Sequence, residues 1–167
     1  MSLSEISEAM RLSMRLWSCG VTVVTTSDGS RREGMTASSF TSISLDPPLI
    51  LVCLHKEAPT CQLIQETGVF GVSVLGVHQQ QVSAQFAGYA DLPEDADRFH
   101  EIETRTLQTG SPLITDAIAW MDCEVYGMHD GATHMIIVGQ VIATERKPDP
   151  VLPLVYHNRS YRAFTED

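Results

Sequence analysis

Residues 34–48 read GMTASSFTSISLDPP, and the composition of this stretch differs from that of an ordinary strand. Its β-branched and aromatic residues alternate with polar ones, which predicts an extended segment that the Asp-Pro-Pro step ends. Strands usually carry bulky side chains because a pleated surface packs them well. Here the middle holds four small side chains: Thr36, Ala37, Ser38 and Ser39. We interpret them as a shallow polar surface that lets a flat ligand approach the main chain; a strand edge or loop rich in small polar residues is the alternative.

The length and composition of the chain indicate one globular domain. Of the 167 residues, 43% are hydrophobic and 19% are charged, so we predict a single domain with one core over residues 1–167. Eleven Lys and Arg stand against 21 Asp and Glu, which gives a net charge of -10. Nucleic acids and anionic membranes bind cationic faces, so neither is expected as a partner. A phosphorylated ligand would need a local device, such as main-chain N–H groups at a helix start.

The cysteines and histidines show no metal-binding pattern, and we predict no metal site. The four cysteines form no Cys-x-x-Cys pair, and the six histidines lack the i, i+4 spacing of a helical zinc pair. We expect the cysteines to be reduced, at least two of them in the core, and the protein to be cytoplasmic. No apolar run approaches membrane-spanning length, and the first residues, MSLSEISEAM, are too polar for a secretory signal.

The N-terminal part of the chain is predicted to form a helix and a hairpin. Apolar residues recur at helical spacing over residues 3–17, and Ser2 begins a capping-box pattern, so we expect an amphipathic helix that packs on the core. A β-rich run at 21–26, a turn at 27–30 and a returning run at 31–40 predict a hairpin. The small residues lie in its second arm.

The rest of the chain is predicted to alternate between strands and short helices. Residues 49–54, LILVCL, are continuously apolar, as in a strand that is buried on both faces. Pro59 and Gly68 bracket residues 60–67 and predict a short helix there. The remaining predicted elements are a strand at 69–75, a helix at 77–86, a half-exposed strand at 117–125 and an apolar strand at 135–143. Together these elements predict a closed or partly closed antiparallel barrel with helical caps, because the long helices of a parallel α/β sheet are missing.

Two places are candidates for chemistry, although no dinucleotide-binding loop, phosphate loop or Gly-x-Ser-x-Gly elbow is present. His134 follows a turn and opens the most apolar strand, which predicts a position at the barrel rim. There it is either a partly buried structural histidine or a group that contacts a ligand or transfers a proton. Residues 55–60, HKEAPT, combine a cation, a hydroxyl and a helix start, which favours anion binding; an ordinary strand-to-helix connection is the alternative.

Three segments together carry a family resemblance: GMTASSFTSISLDPPLILVCL (34–54), FGVSVL (70–75) and AWMDCEVYGMHDGATHMIIVGQV (119–141). They resemble the short flavin reductases of the flavin reductase-like, FMN-binding split-barrel family, over roughly residues 10–162. The resemblance implies a mainly β fold, an antiparallel split β-barrel of Greek-key topology with a few capping helices. It also implies a homodimeric NAD(P)H:flavin oxidoreductase that passes reduced FMN or FAD to a partner monooxygenase.

The resemblance also implies a set of site residues by position. The small residues would lie against the isoalloxazine ring, residues 53–55 along the ribityl chain and residues 59–60 at the phosphate. His134 matches the catalytic histidine of a Gly-Asp-His motif, but Thr133 stands where the family usually has Asp, which leaves the orientation of the imidazole open. The implied cofactor-binding residues are Thr36, Ala37, Ser38, Ser39, Cys53, Leu54, His55, Pro59, Thr60, Phe86 and Tyr161.

Three functional hypotheses follow. The first is a reductase that transfers hydride from NADH or NADPH to FMN or FAD, in which the flavin carries the redox chemistry and the protein positions it. The second is a non-catalytic flavin-binding or storage protein on the same barrel, favoured by the missing Asp before His134. The third is a structural barrel that dimerises through residues 135–143 and binds no cofactor. The sequence does not choose between the two flavins or between the two nicotinamides.

Overall fold

Twelve β-strands and three α-helices form the part of the chain that this computed structural model describes, residues 1–149 and 151–164. The helices are α1 (Leu3–Met14), α2 (Pro59–Thr67) and α3 (Gln80–Phe86). The strands are β1 (Cys19–Gly20), β2 (Thr22–Ser27), β3 (Arg32–Ala37), β4 (Phe40–Leu45), β5 (Pro48–His55), β6 (Val69–Val74), β7 (Thr104–Arg105), β8 (Leu113–Ile114), β9 (Ala119–Gly131), β10 (His134–Arg146), β11 (Val155–His157) and β12 (Ser160–Arg162).

Seven strands form one antiparallel sheet in the order β3-β2-β6-β9-β10-β5-β4, and two small sheets, β1-β11-β12 and β7-β8, complete the β-structure of the described residues. The prediction of a mainly β, antiparallel domain with a few helices is confirmed, whereas closure into a Greek-key split barrel stays a prediction. Strand β10 pairs with β9 on one edge and with β5 on the other. Residues 135–140 are therefore paired on both edges, and only residues 141–143 have a free edge on the β5 side, which leaves little for the edge pairing that the third hypothesis would require.

The small residues lie where the predicted hairpin ends. Strands β2 and β3 pair as expected, but β3 stops at Ala37, and Phe40 begins a separate strand that pairs with β5. The chain leaves the hairpin because Ser39 bonds to β5 instead: its carbonyl accepts from the Cys53 N–H at 3.1 Å, and its hydroxyl donates to the Cys53 carbonyl at 2.6 Å. The prediction of a single arm over residues 31–40 was therefore wrong: Thr36 and Ala37 end β3, and Ser38 and Ser39 connect it to β4 at the other edge of the sheet.

Two predictions about strand burial are also wrong. Strand β5 is buried on one face only, because it lies within a sheet whose other face is not covered in the single chain; Ile50 and Val52 are in the core, whereas Leu51 is half-buried. Conversely, β9 is not half-exposed near its start. Trp120 and Asp122 are buried there, because the segment that contains β7 and β8 covers this face: the indole N–H donates to the Ile114 carbonyl at 2.6 Å.

Helix α1 does not pack on the core of its own chain. Its capping box at Ser2 and Glu5 is present as predicted, yet none of its residues is buried, and the following Trp17 is 68% exposed. The predicted packing is therefore wrong for the single chain, because none of the helices and strands described above covers the apolar side of α1. None of the helices in the described residues is both long and apolar enough to cross a membrane.

Helices α2 and α3 flank the hairpin. Pro59 is at the first position of α2, and Gly68 ends it in the left-handed conformation with φ of 71°, as the sequence predicted. Helix α3 begins at Gln80, later than predicted, because Val77 instead donates its N–H to the Leu152 carbonyl at 2.8 Å. This bond ties the segment before α3 to the C-terminal part of the chain.

Candidate functional site

A groove runs between β3, the starts of α2 and β12, and the end of α3. We use the term groove for two adjoining cavities of about 390 Å³ and about 160 Å³, whose walls share Thr36, Ala87 and Tyr89. The larger cavity is also lined by Glu33, Met35, Ala58, Pro59, Thr60, Phe86 and Arg98. The smaller cavity is also lined by Val21, Ser38, Ser83, Tyr156 and Tyr161.

The small residues of β3 let α3 lie close to the sheet. A Cβ added at Gly34 would come within 2.6 Å of the Phe86 ring, so this position must lack a side chain for α3 to pack here. Two residues further along, the Thr36 hydroxyl donates to the Ser83 carbonyl at 2.7 Å. A glycine and a hydroxyl thereby fix the distance between strand and helix, and the groove opens alongside them.

The start of α2 closes the larger cavity with unpaired polar groups. Ala58 at the N-cap has no side chain that could cap the helix, so N–H groups of the first turn remain available. The Thr60 residue is only 2% exposed, and its hydroxyl makes no hydrogen bond to residues 1–149 and 151–164, although the oxygen atom is not enclosed. This hydroxyl and the adjacent helix terminus therefore suit an anionic ligand group.

Lys56, the cation in the predicted anion-binding segment, points elsewhere. Its ammonium group lies 2.7 Å from an Asp130 carboxylate oxygen, and the hydrogen bond that it donates lowers the pKa of that carboxyl. The cation that does line the larger cavity is Arg98. The sequence pattern at 55–60 therefore predicted the helix start correctly but assigned the wrong positive charge to it.

Two tyrosines of the C-terminal strands form the far wall of the smaller cavity. The Tyr161 hydroxyl donates to the Ser83 hydroxyl at 2.8 Å. Its ring meets the Tyr156 ring edge to face, with 5.6 Å between the centroids. Together with Ser38 and Thr36 they surround a space that is flat and aromatic on one side and rich in small side chains on the other.

The structure divides the predicted site residues among three places. Thr36, Ser38, Pro59, Thr60, Phe86 and Tyr161 line the groove, although the Phe86 ring is fully buried and also packs on Phe99. Ala37 and Leu54 are buried in the core, because alternation along β3 and β5 turns both side chains inward; only their main chain is available to a ligand. The remaining four form a separate group, which we call the edge group: Ser39, Cys53, His55 and His134.

The edge group lies on the outward face of β5 and β10. His55 and His134 are paired in the ladder, and their rings meet at an angle of 76° with 5.3 Å between the centroids. The Nδ1 atom of His134 is 2.9 Å from the Thr133 hydroxyl oxygen, so Thr133 supplies the hydrogen bond beside the imidazole. Burial raises the pKa of the Cys53 thiol, which keeps it protonated and unreactive.

Sequence reasoning did not assign several groove-lining residues to the site, among them Ser83, Ala87, Tyr89 and Arg98. Tyr89 is 84% exposed and follows a glycine, so an exposed aromatic after a helix was a usable signal. Residues 91–99 are rich in Asp and Glu, and Arg98 is the one Arg or Lys among them. No feature of the sequence marks Ser83 or Ala87, whose positions depend on how α3 packs.

Comparison with known proteins identifies the family. The model of the flavin reductase like domain matches residues 14–165. The NADH-dependent FAD reductase of Streptomyces globisporus is 40% identical over 149 residues, 89% of this chain and 80% of that protein. A probable flavin reductase of Rhizobium meliloti (strain 1021) is 39% identical over 138 residues; these are 82% of this chain but only 43% of that longer protein.

A similar solved structure agrees with the sequence matches. It is BorF, the flavin reductase component of a bacterial two-component tryptophan halogenase, with 39% identity and a TM-score of 0.84 over 96% of this chain and 99% of that one. The matches and the architecture described above lead to one conclusion. This chain belongs to the flavin reductase-like domain family.

Proposed function

We propose that this protein is a flavin reductase that oxidises NADH, or NADPH, and reduces FMN or FAD for a partner flavin-dependent monooxygenase. The observation that carries the proposal is the groove: a floor of small side chains that leads to an uncapped helix start and the Thr60 hydroxyl. The family and its NADH-dependent relatives support the same activity.

The residues of the groove fit a flavin. A planar ring needs a shallow surface, which Thr36 and Ser38 provide opposite Tyr161. A ribityl phosphate needs N–H donors and a hydroxyl, which the start of α2 and Thr60 provide. When bound, the flavin supplies the redox chemistry by accepting a hydride from the reduced nicotinamide. The protein binds both rings, orients them against one another and keeps water away from the reacting faces.

His134 is our proposal for the catalytic residue. Its imidazole is exposed at the start of β10, and the Thr133 hydroxyl contacts Nδ1, which leaves Nε2 for a ligand or for proton exchange. Replacing His134 with Asn is expected to lower kcat/KM for NADH by about tenfold to a hundredfold. Unchanged kinetics would make it a structural rim histidine.

We further propose that the protein works as a homodimer. The edge group does not face the groove of its own chain, and large apolar side chains are exposed along α1 and just after it. A monomer rarely exposes so many large apolar side chains on one short segment. The exposed side chains are Leu3, Ile6, Met10, Leu12, Met14, Leu16 and Trp17.

Light scattering after size exclusion tests the dimer. The wild type should elute with twice the chain mass, and Met10→Glu, which places a charge on the apolar side of α1, should shift it toward the monomer. Ser4→Glu is the matched control because it adds the same charge to the same helix off the apolar stripe. A monomeric wild type would contradict the proposal. We place the protein in the cytoplasm, because its four cysteines are all free, which suits a reducing compartment.

Steady-state oxidation of NADH and NADPH, each with FMN and with FAD, tests the proposed activity. We expect NADH oxidation that depends on added flavin, and transfer of the reduced flavin to an oxygenase in a coupled assay. Tight flavin binding without nicotinamide oxidation would favour the storage protein instead. Failure to bind any flavin would overturn both.

A further inference from the structure

The guanidinium of Arg98 is held in place at the wall of the larger cavity. Its Nη1 donates to the Phe86 carbonyl at 2.7 Å and to the Gly34 carbonyl at 3.4 Å. These two carbonyls belong to the end of α3 and to β3, the elements that build the groove. The side chain is therefore pre-positioned, and a ligand would not have to order it.

The charge of Arg98 is not neutralised by a carboxylate. Within residues 1–149 and 151–164, no Asp or Glu lies within salt-bridge distance of Arg98, whereas the nearby Arg32 is paired with Asp97 at 2.7 Å. Glu33 lines the same cavity but is beyond that distance. Nε and Nη2 of Arg98 have no hydrogen-bond partner in the described chain. The residue lines the cavity and is also exposed to solvent, so these groups can reach a ligand.

Arg98 shares its cavity with the start of α2. The cavity of about 390 Å³ brings together this unpaired cation, the Thr60 hydroxyl and the uncapped first turn. A cation with two free N–H groups, a hydroxyl and a helix N-terminus are complementary to a phosphate ester. The chain has a net charge of -10, so the binding of an anion requires a local positive charge. The Arg98 guanidinium, which has no carboxylate partner, supplies that charge at the larger cavity.

We propose that Arg98 is a specificity-determining residue that binds the phosphate ester of the flavin and makes the enzyme prefer FMN or FAD to riboflavin. This inference rests on the proposed function and adds to it the residue that reads the phosphate. The diphosphate of NADH or NADPH could bind the same groups. The flavin is the better occupant because the larger cavity continues, through Thr36, into the cavity with the small side chains and the tyrosines.

FMN and riboflavin differ only by the phosphate, so their comparison isolates this contact. We would measure dissociation constants for both by flavin fluorescence, and KM values for FMN, riboflavin and NADH, in wild type, Arg98→Gln, Arg98→Lys and Arg32→Gln. In Arg98→Gln the preference for FMN over riboflavin should fall on the order of 10- to 100-fold, as expected for a hydrogen bond to a charged group.

The variants separate phosphate binding from a structural role. Arg98→Lys keeps the charge and should restore part of the preference, and Arg32→Gln, which removes a cation outside the cavity, should leave it unchanged. An equal loss for both flavins in Arg98→Gln would make Arg98 structural. A rise in KM for NADH alone would assign the contact to the nicotinamide and overturn the proposal.

The wild type alone can also refute the inference. Equal affinity for FMN and riboflavin would overturn it even if Arg98→Gln does not fold. Flavin binding with the expected preference but without nicotinamide oxidation would contradict the proposed function and leave the role of Arg98 supported.

Discussion

Replacing Asp122 should destabilise the protein more than most surface changes. Its carboxylate is fully buried and accepts hydrogen bonds from the Gln108 N–H at 2.7 Å, the Thr109 N–H at 2.8 Å and the Thr109 hydroxyl. These bonds tie the segment between β7 and β8 to β9. Hydrogen bonds to a charged group contribute about 1.5–3 kcal/mol each, and a buried donor left without an acceptor costs about 1–3 kcal/mol.

Because the three bonds share one carboxylate, their contributions are not additive. We expect Asp122→Ala to lower the free energy of unfolding by about 3–5 kcal/mol and Asp122→Asn, which keeps one acceptor oxygen, by about 1–3 kcal/mol. Equilibrium denaturation in urea measures both. Glu124→Ala is the control, since Glu124 is exposed on the same strand and should change stability by less than about 0.5 kcal/mol. A loss below about 1 kcal/mol for Asp122→Ala would refute the reasoning.

Three further predictions concern the groove, the core and the thiols. Ala87 lines both cavities, so the longer side chain in Ala87→Met should reduce their volume and weaken flavin binding by about tenfold or more in a fluorescence titration. Gln80→Met, at the exposed start of α3, should leave flavin binding unchanged. Gly139→Ala places a methyl group against a buried aromatic ring of β6 and should cost about 1–3 kcal/mol in denaturant titrations; an unchanged midpoint would show that the ring can move. Cys61 and Cys123 are buried, which raises the pKa of both thiols, so a thiol reagent should modify at most two of the four cysteines before unfolding. Modification of all four in the native protein would contradict this burial.

Local signals in the sequence predicted the parts of the fold that depend on neighbouring residues. Pro59 and Gly68 fix the ends of α2 through their own backbone preferences, and the turn after Ser27 joins two strands that pair directly. Of the small residues at 36–39, Thr36 and Ser38 line the groove, whereas Ala37 and Ser39 do not; their role in ligand binding stays a prediction. These features could be read without knowledge of the rest of the chain.

Contacts between distant segments could not be predicted in this way. Alternation showed that Asp122 shares a face with Trp120, but it could not show that the segment before Ile114 covers that face. The apolar periodicity of α1 predicted a buried stripe without specifying which chain buries it. Arg98 enters the groove only because α3 and β3 offer it two carbonyls. Each of these outcomes depends on tertiary packing, which the spacing of apolar residues and the helix or strand preference of single residues do not encode.

A structure of the protein crystallised with FMN tests the central claim most directly. The account predicts the isoalloxazine ring along Thr36 and Ser38, with Tyr161 on the opposite wall, and the phosphate within hydrogen-bond distance of the Thr60 hydroxyl and the Arg98 guanidinium. Flavin bound at another surface, with the groove between β3 and α3 left open, would contradict it.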